Sequence, residues 1–131
     1  MKRLQPGFTL IELVVVIVIL GILSAVALPR FVNLSSQAGA AAAQGVAASI
    51  SSATSINYAA RKASNGSAVP SLLSCANVNT NIATLLAGGM PTNYTLTGAA
   101  TCTDGNTAIC TVINTNVSPS QTASATIVCV N

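Results

Sequence analysis

Histidine and tryptophan are absent from this 131-residue chain, and it has only two acidic side chains, Glu12 and Asp104. Without histidine there is no group poised to trade protons near neutral pH and no imidazole to hold a metal. Two carboxylates so far apart in sequence offer no paired acid and base, so no catalytic constellation is expected. Charged residues are 5% of the chain, against about 25% in ordinary globular domains. The five cations, Lys2, Arg3, Arg30, Arg61 and Lys62, form no cluster of the size nucleic acid requires, so nucleic acid is not a partner predicted from charge. Four aromatic residues, Phe8, Phe31, Tyr58 and Tyr94, leave little to build a stacking platform or a conducting path. The cysteines include no CxxC pair, and Asp104 beside Asn106 reads as a turn and not as a calcium site, so neither metal nor cofactor is expected.

What is present is an apolar run of unusual length. From Leu13 to Leu28 only Gly21 and Ser24 interrupt the hydrophobic side chains, and counted from Phe8 the stretch reaches 21 residues. At 1.5 Å per residue that is about 30 Å of helix, the thickness of a bilayer's hydrocarbon core. Lys2 and Arg3 stand just before it, an arrangement that keeps the N-terminus cytoplasmic and places the remainder across the membrane. The run is longer than a secretory signal core, so a retained anchor is expected. Inside it lies one carboxylate, Glu12. A charge there costs several kcal/mol unless it finds a partner or reaches the interface, and the question is what pairs with it.

Beyond the run the helical pattern continues. Val46, Ile50, Ala53, Ile56 and Ala60 recur at spacings of three and four, and Ser64, Asn65 and Gly66 form a stop. One helix is therefore expected from about Phe8 to Ala63, bent at Pro29, which lacks a backbone donor, and weakened at Gly21. The remainder reads as a small head. A short helix within Val78 to Ala87 ends at Gly88 and Gly89, with Ile82, Leu85 and Leu86 inward. Strands are expected at Tyr94 to Thr97, Thr107 to Ile113 and Thr122 to Val130, the last with Ala123, Ala125, Ile127 and Cys129 on one face. Arg61 and Lys62 read as a solvated helix end beside the negative pole of the dipole.

Cys75, Cys102, Cys110 and Cys129 all follow the membrane segment, where an oxidising compartment permits two disulfides. A hairpin about Ser118 and Pro119 that sets Cys110 opposite Cys129 leaves Cys75 for Cys102. A tighter hairpin at Asp104 and Gly105 would instead oppose Cys102 and Cys110. Either arrangement contributes roughly 2–4 kcal/mol per bridge to a head with little core.

Basic residues, then Gly7, Phe8, Thr9, Leu10, Ile11, Glu12 and Leu13, an apolar run and Pro29 resemble the processing and assembly signature of type IV pilins over residues 1 to about 60. The resemblance implies an α+β fold: a long N-terminal helix, transmembrane in its first half, with a small antiparallel head of three or four strands stapled by disulfides. The implied divisions are a leader at 1–7, a membrane and filament-core helix at 8–31, an amphipathic helix at 32–64 and a head at 65–131. It further implies that a prepilin peptidase cuts between Gly7 and Phe8, that the new Phe8 amine is N-methylated, and that Phe8, Thr9 and Glu12 act in assembly. In such a family the carboxylate at the Glu12 position pairs with the N-terminal amine of a neighbouring subunit. The other candidate partners for Glu12 are lipid headgroups and its own N-terminus. Gly21 and Pro29 are implied as the stretch that loses helicity in the filament.

The function implied is a major subunit of a type IV pilus, a homo-oligomer built from the inner membrane by an assembly platform and ATPases, passed through an outer-membrane secretin, and displayed outside the cell. Adhesion, surface motility and DNA uptake all fall within that role. A type II secretion pseudopilin is the alternative within the filament class, and a minor tip subunit acting as a binding module is the alternative outside it.

Overall fold

The computed structural model describes residues 7–64 and 70–131, with only the backbone described at 28, 29 and 31–33. Lys2, Arg3 and the stop residues Asn65 and Gly66 lie outside the described residues. Among the described residues three helices are followed by three strands: α1 Leu10–Ala63, α2 Cys75–Thr80, α3 Ile82–Leu85, β1 Tyr94–Thr97, β2 Thr107–Asn114 and β3 Gln121–Val128. The chain divides into two compact units, Met1–Ser35 and Ser36–Asn131.

In the first unit α1 is an unbroken helix through Gly21 and Pro29, so neither residue interrupts it in the single subunit. Residues Leu10–Ala27 form an 18-residue stretch long and apolar enough to cross a membrane. Its leucines, isoleucines and valines are exposed all round, which in water would be an untenable surface. The hydroxyl of Ser24 donates to the Leu20 carbonyl at 2.7 Å, so this polar group needs no outside partner in lipid.

In the second unit the continuation of α1 buries Ala43, Ala47, Ile50, Thr54 and Asn57. This stripe keeps the three-and-four spacing but is rotated from the expected one. Of the expected set Ile50 is fully buried, whereas Ile56 is 69% exposed. The reason is close approach: small side chains let the sheet come near, and hydroxyls on the same flank reach its backbone. Ser51 Oγ accepts the Thr126 N–H at 3.1 Å and Thr54 Oγ1 accepts the Val128 N–H at 3.3 Å.

The sheet is antiparallel in the order β1-β2-β3. Leu96, Ala108, Cys110, Val112, Ala125 and Ile127 turn inward to a core completed by Leu72, Val78 and Val130. Alternation along β2 and β3 places the polar residues outside, as a half-buried sheet requires. Asn114 is the buried exception. Its amide donates to the Gly39 carbonyl at 3.0 Å and its oxygen accepts the Asn116 N–H at 2.9 Å. Gly39 allows this approach, because a Cβ there would lie 2.5 Å from a methyl carbon of Val117.

The disulfides differ from the expected Cys75–Cys102 and Cys110–Cys129 pairs. Cys75 is joined to Cys110 and Cys102 to Cys129, with Cα separations of 5.6 and 6.1 Å. Register explains the correction. Cys110 lies opposite Ala125 and Thr107 opposite Val128, so Cys129 falls beyond the end of β2 and four residues from the position facing Cys110. That offset is about 13 Å along a strand, beyond the reach of a bridge. Cys110 instead points inward to Cys75 at the start of α2, where Gly98, with φ +140°, passes close to the sulfur. Cys129 meets Cys102 on the β1–β2 connection, which is held to the chain end by the Gly105 N–H donating to the Cys129 carbonyl at 2.9 Å.

Candidate processing and assembly site

Gly7, Phe8 and Thr9 precede the helix in non-helical backbone, and all three are exposed. The Gly7–Phe8 bond is therefore free of helix hydrogen bonding. A side chain at Gly7 would meet nothing within 4 Å in the subunit, so the need for glycine here does not arise from the fold itself.

Two residues on, Thr9 caps α1. Its N–H donates to Glu12 Oε2 at 2.9 Å, its hydroxyl donates to the same oxygen at 2.6 Å, and its Oγ1 faces the Glu12 N–H at 3.4 Å. Threonine followed three residues later by glutamate is the reciprocal capping box, which satisfies helix-start donors that have no partner within the helix. The negative charge also sits at the positive end of the helix dipole. Glu12 is thus not an orphan carboxylate in the single subunit: its own helix start holds it.

Both bonds to Glu12 fall on Oε2. Among the described residues no donor is placed on Oε1, so that oxygen is open to a second donor while the cap remains intact. Phe8, Ile11, Glu12, Val15 and Val16 surround a shallow hollow of about 350 Å³. The carboxylate therefore stands at the edge of an exposed apolar surface. The capping role of Thr9 is carried by the T-x-x-E spacing, a signal legible in the sequence but easily passed over beside the lone charge.

Among the described residues the head contributes no comparable constellation of reactive groups. Asp104 is in a turn and accepts from Lys62 Nζ and from the Asn131 N–H. Lys62 is thus ion-paired, in place of the purely solvated helix end expected for it. It also lies 5.6 Å from the centre of the Tyr58 ring. The hydrogen bond from Lys62, and then that from the Asn131 N–H, hold the Asp104 carboxyl below its ordinary range. Forty-two residues separate the pair, so no local pattern announces it.

Comparison with known proteins agrees with the N-terminal geometry. Residues 2–28 match the prokaryotic N-terminal methylation motif. The chain is 58% identical over 50 residues, 38% of its length and 43% of the relative's, to the type IV narrow pilus major component PilA5 of Thermus thermophilus. It is 61% identical over 33 residues, 25% of its length and 21% of the relative's, to the type IV major fimbrial protein FimA of Dichelobacter nodosus. It is also 58% identical over 38 residues, 29% of its length and 23% of the relative's, to the type IV major pilin protein PilE1 of Neisseria gonorrhoeae. The chain spans less than half the length of these curated relatives. No solved structure matches it significantly. The methylation motif, the pilin relatives and the fold of a long helix with an apolar first half and a small disulfide-linked antiparallel sheet together support a type IV pilin.

Proposed function

We propose that this chain is the structural subunit of a type IV pilus, anchored in the inner membrane by its apolar helix and then drawn into a helical filament outside the cell. The observation that carries the reading is Glu12, a single carboxylate at the head of an 18-residue apolar span, held by Thr9 with one oxygen left open. In a membrane anchor that arrangement is costly, because a carboxylate in hydrocarbon carries a penalty even when capped.

Cleavage between Gly7 and Phe8 by a prepilin peptidase supplies what Glu12 lacks. It removes Lys2 and Arg3 and creates an amine at Phe8, which is then methylated and remains cationic. In the filament this amine of one subunit meets Oε1 of Glu12 in the next, and the pairing selects the axial offset. Because Thr9 already satisfies Oε2, docking adds a charge-assisted bond to a prepared carboxylate and does not rescue an unsolvated one. The apolar faces of neighbouring copies cover the exposed leucines and valines. Gly21 and Pro29 mark where helix is most readily given up during packing. An assembly platform, ATPases and an outer-membrane secretin are the machinery this role requires. The chain's part is structural and not catalytic.

The test is to shear surface filaments from cells expressing the chain and to sequence the major component by mass spectrometry. A principal component that begins at methylated Phe8 supports the reading. No such filament, together with a secretion defect when the chain is deleted, would replace it with the pseudopilin role.

A further inference from the structure

The two hydroxyl bonds from α1 to β3 define the free edge of the sheet. The Thr126 and Val128 N–H groups donate to Ser51 and Thr54, so they point away from β2. In an antiparallel ladder this direction repeats every second residue, so the N–H and C=O groups of Thr122 and Ser124 face the same free edge. Along α1 the hydroxyl series stops there. One turn before Ser51 stands Ala48, and before that Gln44, and among the described residues neither reaches the strand. The gap between Gln44 and Ala48 on the helix flank and Thr122 and Ser124 on the strand is part of a groove of about 580 Å³ that also takes in Ser51, Thr126 and, on β2, Thr111.

We propose that this open half of the β3 edge is a strand-docking site, and that its occupant is an extended segment of a second copy of this chain. Sheet edges pair with whatever extended chain reaches them, and proteins that must stay apart blunt them with lysine, proline or a bulge. β3, with the sequence QTASATIV, carries none of these along its length. Its register with β2 is continuous from Gln121 to Val128. The groove walls hold hydroxyls, an amide and methyl groups but no charge, so they select against a charged partner and accept a chain that is itself 5% charged. The binding mode is strand addition, in which backbone bonds give affinity and the small walls limit side-chain size. Contact between this edge and a different segment of the neighbour is head-to-tail, the kind that propagates without closing. The inference rests on the filament role proposed above and assigns it a contact in the head, separate from Glu12.

Ser124→Pro tests it in the full-length chain. Proline removes the outward N–H at a position that makes no bond to β2, so the ladder is untouched, whereas Ser124→Ala keeps the N–H. The expected result is wild-type filament from Ser124→Ala and about tenfold less sheared filament from Ser124→Pro, the loss of roughly one hydrogen bond per contact. Both variants should keep the Cys75–Cys110 and Cys102–Cys129 bridges. Ala48→Lys, on the exposed helix flank, puts a charge in the groove without touching the strand and should reduce yield similarly. Equal filament from Ser124→Pro, or an equal loss from Ser124→Ala, would overturn the docking site. Should Ser124→Pro lose its bridges, normal assembly of Ala48→Lys would overturn it alone. Parent chain that makes no filament would overturn the subunit reading and the docking site with it.

Discussion

Asn114 offers the sharpest test of how the head is held to its helix. Its side chain is 1% exposed, donates to the Gly39 carbonyl and accepts from the Asn116 N–H, so one amide ties β2, the β2–β3 loop and α1 together. Asn114→Ala deletes both bonds. Each is worth about 1 kcal/mol net, and the buried donor or acceptor left behind raises the cost, so the sum is about 2–3 kcal/mol. The Gly39 carbonyl sits within the helix and keeps its helical partner, which holds the total toward the lower end. For a unit of this size 1 kcal/mol moves the melting temperature by about 4–8 °C, so a fall of roughly 10–20 °C is expected. The assay is a thermal melt of the full chain in detergent micelles, followed by tyrosine emission. Tyr58 and Tyr94 both belong to the Ser36–Asn131 unit, so the signal reports the head and not the apolar helix. Thr95→Ala, on the exposed face of β1, serves as the control and should shift little. An Asn114→Ala midpoint indistinguishable from that control would refute the reasoning, because it would mean the buried amide contributes nothing net.

Other consequences can be checked as directly. Thr9→Ala removes the cap and should destabilise the start of α1 by about 1 kcal/mol, read as faster amide exchange at Leu10 to Leu13, while cleavage after Gly7 proceeds unchanged. Gly39→Val forces two branched side chains into the space that Val117 fills, and should destabilise the head by about 1–3 kcal/mol, read as a lower melting temperature. Peptide mapping without reduction should recover Cys75 with Cys110 and Cys102 with Cys129, and replacing the second pair by serine should cost about 2–4 kcal/mol. Asp104 has its folded-state pKa lowered, so its contribution is complete above the ordinary carboxylate range and is lost as pH falls through the lowered value. The stability difference between wild type and Asp104→Asn should therefore be present at neutral pH, disappear in strong acid, and shrink in high salt.

Much of the fold is legible in the residues, and the exceptions have physical causes. Tyr94–Thr97 is delimited by Pro91 before it and Gly98 after it, and alternation marks the inward faces of β2 and β3. The α1 stripe is harder to place, because with so many alanines several faces are nearly equivalent. What decides between them is the reach of Ser51 and Thr54 to a strand more than seventy residues away. Disulfide pairing depends on register, and register depends on a six-residue loop between Asn114 and Gln121 whose length is not marked by a strong turn signal. At the N-terminus, residues Gly7 to Leu13 mark the candidate site, while the T-x-x-E cap changes its energetics: the carboxylate is held within its own chain.

The role of Glu12 is tested most directly by expressing Glu12→Ala as the sole copy and measuring three things in the same cells: membrane insertion, the N-terminal residue, and sheared filament. The expected result is chain that is inserted and begins at Phe8 but yields no filament. Filament in normal amount from Glu12→Ala would contradict it.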